Sequence, residues 1–133
     1  INEIIGMFQK EVAERIACKE GKKRGILSVL MQTFYDVEYC FTVDEHVFIP
    51  PPKVKSGVIR LTRNKRKELS VEGNKFKRIV KASFNQRRKT LRNALKTYNI
   101  EKDSKIESLL SLRAEQLNVE DFIKITKHIK SIL

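Results

Sequence analysis

Residues 47–61 read VFIPPPKVKSGVIRL, and the reading of this stretch decides the fold. The run SGVIRLTR (56–63) has the composition of a strand. Ahead of it stand three consecutive prolines, and ahead of those Phe48. Each proline fixes φ at about −65° and offers no amide hydrogen. Pro50 also biases Ile49 away from helix. Three in succession favour an extended polyproline path. The segment therefore reads as a stiff strap leading into a strand, with Phe48 held at its start. Two readings of Phe48 stand. Either its ring plugs the core beneath a rigid loop, or it offers a stacking platform to an extruded base. Such stacking is worth about 1–3 kcal/mol per base, which would partly offset a flipping cost on the order of a few kcal/mol.

Outward from the strap, the chain divides near residue 64. Upstream, strand and helix signals alternate. IIGMF (4–8) is continuously apolar, as a strand covered on both faces would be. KEVAERIA follows as a helix with Val12, Ala13 and Ile16 on one side, so a helix is expected over 10–18. After the polar loop CKEGKKRG, a second helix is expected over 26–35, with Leu27, Leu30 and Phe34 on one face. DVEYCFTV (36–43) alternates strictly: Val37, Tyr39, Phe41 and Val43 point one way. The three strands are expected to form one mixed sheet, with 56–63 antiparallel between 4–8 and 36–43. The strand 4–8 would then present a free edge, which invites self-association. Downstream of the charged linker RNKRKELSVEG the pattern is helical. NKFKRIVKASF (74–84) puts Phe76, Ile79, Val80 and Phe84 on one stripe. RRKTLRNALKTY (87–98) reads as a helix capped by Asn85 that buries Leu91, Ala94 and Leu95. Asp103 or Ser104 starts a helix with Ile106, Leu109 and Leu110. Asn118 with Asp121 resembles a capping box, opening a last helix with Phe122, Ile125 and Ile129 on its apolar face.

The charge is concentrated. The 133 residues hold 28 Lys+Arg against 16 Asp+Glu, a formal net charge of +12. Sixteen of those bases lie in 53–96, opposed only by Glu68 and Glu72, so that segment carries +14 and the rest of the chain −2. A fold needs no such surplus; it suits a polyanion, nucleic acid or an anionic membrane surface. The basic helix has only modest apolar residues and no tryptophan, which argues against a membrane-surface helix. No apolar run is long enough to span a bilayer. On a helix Arg88 and Arg92 are four apart, and Lys89, Arg92 and Lys96 follow at three and four. Like charges at that spacing repel by a few tenths of a kcal/mol, on the order of the pair energies of helices, unless an anion relieves them. The alternative is a solvated basic face. Cys18 and Cys40 are too few for a disulfide framework. His46 and His128 read as ordinary surface or half-buried residues without ligand-type neighbours, so no metal is expected. The chain opens on INEIIGMF, without an initiator Met. It is expected to be a piece of a longer protein.

Several blocks together carry a resemblance. FIPPPKVKSGVIRL resembles the F-x-P-x-P-K-V-x-S motif of the S-adenosylmethionine-dependent ribosomal RNA adenine N6-dimethyltransferases. QKEVAERI, GILSVLMQ, FNQRRKTLRNALK and LRAEQLNVEDFIKI are similar to further blocks of the same family. FNQRRKTLRN resembles the housekeeping, KsgA-type branch rather than the macrolide-resistance methylases. One departure is the loop GKKRG (21–25), a residue shorter than the family pattern and without its tyrosine. The resemblance implies an α/β part (1–64) holding the last three strands of a Rossmann-like methyltransferase sheet. An all-α RNA-binding domain (65–133) follows it. It implies an enzyme that dimethylates two adjacent adenosines in the 3′-terminal hairpin loop of 16S ribosomal RNA during ribosome biogenesis. It makes Phe48 the target-base stacking residue; the like-charge pattern of the basic stretch, for its part, puts Arg87, Arg88, Lys89, Arg92 and Lys96 on the phosphate-contacting face. The S-adenosylmethionine site and the N-L-P-Y motif would lie upstream of this chain, leaving the piece inactive by itself. The whole protein would be a cytoplasmic monomer acting on the small ribosomal subunit. The competing reading is a non-catalytic basic RNA-binding module.

Overall fold

The structure, a computed structural model, describes residues 2–130. The chain forms two compact units. The first holds residues up to 19 together with 23–67; the second holds 20–22 and the residues from 68 onward.

The first unit is a three-stranded sheet with two helices on one face. The strands are β1 (Glu3–Gln9), β2 (Tyr35–Val43) and β3 (Ser56–Arg63), in the order β1-β3-β2. Both pairings are antiparallel. β3 thus lies antiparallel between the other two, as expected; β1 and β2 run the same way but do not pair, so these three strands are antiparallel rather than mixed. Helix α1 (Lys10–Ala17) lays Ala13 and Ile16 on Ile59 and Leu61 of β3. The approach is close at Gly57, where a Cβ would stand 2.8 Å from both Ala13 Cβ and the Tyr39 hydroxyl. Helix α2 (Ile26–Gln32) is held to α1 by the Ser28 hydroxyl, which donates to the Arg15 carbonyl. That bond turns Ser28 and Val29 inward and leaves Leu27 half exposed, so the face led by Leu27 is not the buried one. Arg24 is buried and donates to the Cys18 carbonyl (2.9 Å) and to Gln32 Oε1 (3.0 Å). It satisfies the orphan carbonyl end of α1.

Two strand expectations change, the first because, among the described residues, β1 side chains on the bare sheet face, away from α1 and α2, are exposed, the second because β2 carries a bulge. IIGMF is continuously apolar, yet in β1 Ile5 is 64% exposed and Met7 52% exposed. In β2 the register shifts between Tyr39, opposite Ile59, and Phe41, opposite Val58, leaving Cys40 as an extra residue. Such a bulge reverses the side-chain alternation beyond it. Thr42 therefore rejoins the helix-covered face, where its hydroxyl meets Tyr39 Oη at 2.6 Å. Phe41 goes to the bare face and is exposed.

The second unit is helical. Helix α3 (Gly73–Asn85) starts at Glu72, whose carboxylate accepts from the amides of Asn74 and Lys75. It buries Phe76, Ile79, Val80 and Phe84. Helix α6 (Val119–Lys127) opens with the reciprocal Asn118–Asp121 capping box. Phe84 of α3 and Phe122 of α6 meet at 5.9 Å between ring centroids. Helix α5 (Ser104–Leu110) is capped by Asp103 and contributes Ile106 and Leu110 to the same core. The helix expected over 87–98 is mostly absent. Asn85 is the last residue of α3, not a cap, and α4 covers only Leu91–Ala94. Residues 86–89 form a turn, with the Lys89 amide donating to the Gln86 carbonyl. The Leu91 amide donates to the Leu112 carbonyl at 2.8 Å, a tertiary bond in place of a helical one.

Candidate nucleic-acid interface

In the first unit the strap is the loop of a β2–β3 hairpin. Val43 and Ser56, the last paired residues, face each other across its mouth. Asp44 caps a single 3-10 turn, Glu45–Val47, through a bond from the His46 amide (2.9 Å). At the far end the Lys55 carbonyl accepts from the Lys10 amide at 2.9 Å, tying the loop to the start of α1. The path between is bent at 48–50 and 53–54, so it is not one extended polyproline rod. Of the bent residues only Pro50 is a proline, and the Ile49–Pro50 peptide bond is cis.

Phe48 sits directly after the 3-10 turn in extended conformation, φ −98° and ψ 152°. It is half-buried, while Val47 and Ile49 beside it are 68% and 98% exposed. It does not belong to the buried core formed by Ala13, Ile16, Ile59 and Leu61. Nor is it among the partly buried residues packed against that cluster. Asp44, Glu45 and His46 each bring one ligand-type atom within 4.8 Å of the others, so His46 does have such neighbours. Asp44 Oδ1 is already engaged by the His46 amide.

In the second unit the five bases assigned to RNA separate into two groups. Arg87 is turned inward. Its Nη2 donates to the Lys22 carbonyl (2.8 Å) and lies 4.0 Å from Glu115 Oε2, and its guanidinium sits 5.7 Å above the Phe84 ring. Arg92 Nη2 pairs with Glu107 Oε2 at 2.6 Å, with both side chains about half exposed. Arg88, Lys89 and Lys96 are exposed, and among the described residues their side chains have no acidic partner. Because 86–89 is a turn, Arg88 and Arg92 are not four apart on one helix. The expected repulsion between them does not arise.

Helix α3 adds to the second group. On α3 the residues opposite the apolar stripe include Lys77, Arg78 and Lys81, all exposed. Helical spacing places them on one face, a signal present in the sequence itself.

The described residues do not fit an adenosyl cradle. Strand β1 passes into α1 through Gln9 and Lys10 without a glycine. Gly21, the one glycine with positive φ, stands in a basic loop between two helices rather than in a strand-to-helix turn. No helix among the described residues is long and apolar enough to cross a membrane.

The sequence profile described as "Ribosomal RNA adenine dimethylase" matches residues 1–131. Proteins named "Ribosomal RNA small subunit methyltransferase A" are similar throughout. That of Cytophaga hutchinsonii is 60% identical over 127 residues, 95% of this chain and 49% of its own length. That of Bacteroides thetaiotaomicron is 57% identical over 131 residues, 96% and 49% of the two chains. The chain thus spans about half the length of the curated relatives it matches. Among solved structures, a dimethyladenosine transferase from Plasmodium falciparum superposes with a TM-score of 0.79 at 20% identity, covering 97% of this chain and 59% of that one. The 23S rRNA methyltransferase ErmE gives 0.64 at 20% identity, covering 98% and 56%. These two likenesses bear on the fold: the sheet and helices are part of a methyltransferase fold with a helical unit after it.

Proposed function

The chain belongs to the ribosomal RNA adenine dimethylase family, and from that premise we propose that it is the substrate-handling part of an enzyme dimethylating N6 of two adjacent adenosines. The substrate is the 3′-terminal hairpin loop of 16S ribosomal RNA, on the small subunit, in the cytoplasm. S-adenosylmethionine supplies the methyl groups to the whole protein. Its binding residues lie outside this sequence, so the piece does not methylate RNA alone. The first unit is the end of the methyltransferase domain, and the second is the RNA-docking domain.

Phe48 is the residue of this chain that meets the target base. The observation that carries the reading is its setting: half-buried, extended, on a loop fastened at Asp44 and at Lys55. A fixed ring costs little further entropy when a flipped adenine stacks on it. Arg88, Lys89 and Lys96 contact phosphate. Within the second unit, Arg87 holds loop 20–22 in place and supports the neighbouring turn. Arg92 reaches RNA only by leaving Glu107.

The test is Phe48→Ala and Phe48→Tyr in the full-length protein, read as methyl transfer to small-subunit RNA. Losing about 1–3 kcal/mol of stacking lowers the Ala rate about 5- to 150-fold, while Tyr keeps most activity and RNA affinity is nearly unchanged. If Phe48→Ala keeps its melting temperature and its full rate, the ring does not handle the base.

A further inference from the structure

We propose that the outer face of α3 is a second docking surface, one that binds the phosphate backbone of double-helical RNA. The proposal rests on the reading above and extends it to a surface away from the target loop. Lys77, Arg78 and Lys81 lie within little more than one turn and are exposed. Asn74 and Asn85, also exposed, continue the face toward the two ends of the helix. The stripe runs about 16 Å along the axis, and Lys77 and Lys81 stand about 6 Å apart on it. Among the described residues no carboxylate pairs with any of the three cations. Glu72, the nearest acid in sequence, gives one carboxylate oxygen to the Asn74 amide and the other to the Lys75 amide.

Unrelieved like charges at i and i+4 weaken a helix. Here the cost is borne by the apolar face, where Phe76, Ile79, Val80 and Phe84 are buried. The repulsion that the sequence suggested for Arg88 and Arg92 is thus real on α3. A polyanion removes it.

The chemistry of the face selects the kind of polyanion. Both aromatic residues of α3, Phe76 and Phe84, are buried, so the stripe has no ring on which an unpaired base could stack. Recognition by cations and amides alone reads phosphate and ribose, not sequence. That is how paired RNA is bound, through its backbone and 2′-hydroxyls. A straight, rigid row of charges also matches a rigid duplex better than a flexible strand. An anionic membrane fits less well, since the apolar residues that would enter it face the core of the unit.

The test uses the full-length protein carrying Lys77→Gln, Arg78→Gln and Lys81→Gln together, titrated with a fully paired RNA of arbitrary sequence over a range of salt. Three lost phosphate contacts flatten the plot of log K against log salt by about 2 to 3 units. Lys77→Arg with Lys81→Arg, which keeps the charges, restores the wild-type slope. An unchanged slope in the triple variant overturns the proposal. So does an equal loss on single-stranded RNA of the same length. So does a loss of binding to phosphatidylserine vesicles with duplex binding intact. Equal melting temperatures of wild type and variant exclude a folding defect. Wild-type protein that neither binds nor methylates small-subunit RNA would instead sink the underlying reading, independently of the variant.

Discussion

Replacing Arg88 and Lys89 together by alanine separates RNA contact from internal support, because their neighbours Arg87 and Arg92 carry the same charge in different settings. Arg88 and Lys89 extend from a turn without acidic partners. Removing two phosphate contacts lowers the salt slope by about 1.4 at about 0.7 per phosphate for looped RNA. Between 50 and 200 mM salt the gap between variant and wild type then narrows about sevenfold, following that slope. The melting temperature stays where it is. Arg87→Ala behaves differently. It loses a charged hydrogen bond to the Lys22 carbonyl and the contact with the Phe84 ring. These are worth about 1–2 kcal/mol after allowance for the partial exposure of the side chain. For a unit of this size the melting temperature falls about 4–8 °C for each kcal/mol. Arg92→Ala removes an exposed ion pair with Glu107, worth about 0.2–1 kcal/mol, and leaves the slope nearly unchanged. The assay is fluorescence anisotropy with the 3′-terminal hairpin RNA and full-length protein at five salt concentrations, alongside thermal melts. If Arg92→Ala flattens the slope as much as the Arg88/Lys89 pair does, pairing in the free protein is no guide to contact in the complex, and the division fails.

Two further outcomes follow from other parts of the structure. His128 Nδ1 bonds the Lys124 carbonyl (2.7 Å) and Nε2 bonds Asp103 (2.9 Å), which together raise its pKa from 6.5. The Lys105 amide, and after it His128, lowers that of Asp103 from 3.8. A raised folded pKa gives stability that is full below 6.5 and lost as pH climbs through the folded value; a lowered one gives stability full above 3.8 and lost as pH falls through it. The melting temperature should therefore peak between these limits, and His128→Gln should abolish the decline on the alkaline side; an unaltered alkaline decline would mean that another group causes it. On the first unit, β1 is an edge strand, and Met7, Val58 and Phe41 form a row across the bare face. This chain expressed alone should self-associate in sedimentation experiments, and Met7→Lys should shift it toward monomer, as a charge on an apolar edge does; a monomeric wild-type chain at high concentration refutes this.

What the sequence disclosed follows the range of the forces involved. SGVIRLTR marked β3 at its observed bounds, because a strand paired on both sides shows its alternation along its whole length. The Asn118–Asp121 box marked the start of α6, because both of its bonds are local. The bulge at Cys40 left no such trace. Strict alternation in DVEYCFTV describes residue types, while the inserted position depends on how β2 registers with β3. The break at 86–89 was hidden for a similar reason. FNQRRKTLRNALK keeps helical spacing through the turn, but the Leu91 amide is taken by Leu112, twenty-one positions along the chain. The consequence reaches the candidate site. A continuous helix would have set Arg88 and Arg92 side by side in one repelling row. The turn instead frees Arg88 from that row and leaves Arg92 to find Glu107 on α5. Charge density, a property of composition, was legible in full. Which of those charges are spent inside the protein is a property of tertiary pairing: spacing alone sets Lys77 and Lys81 on one face of α3, but only the folded chain shows that they are unspent.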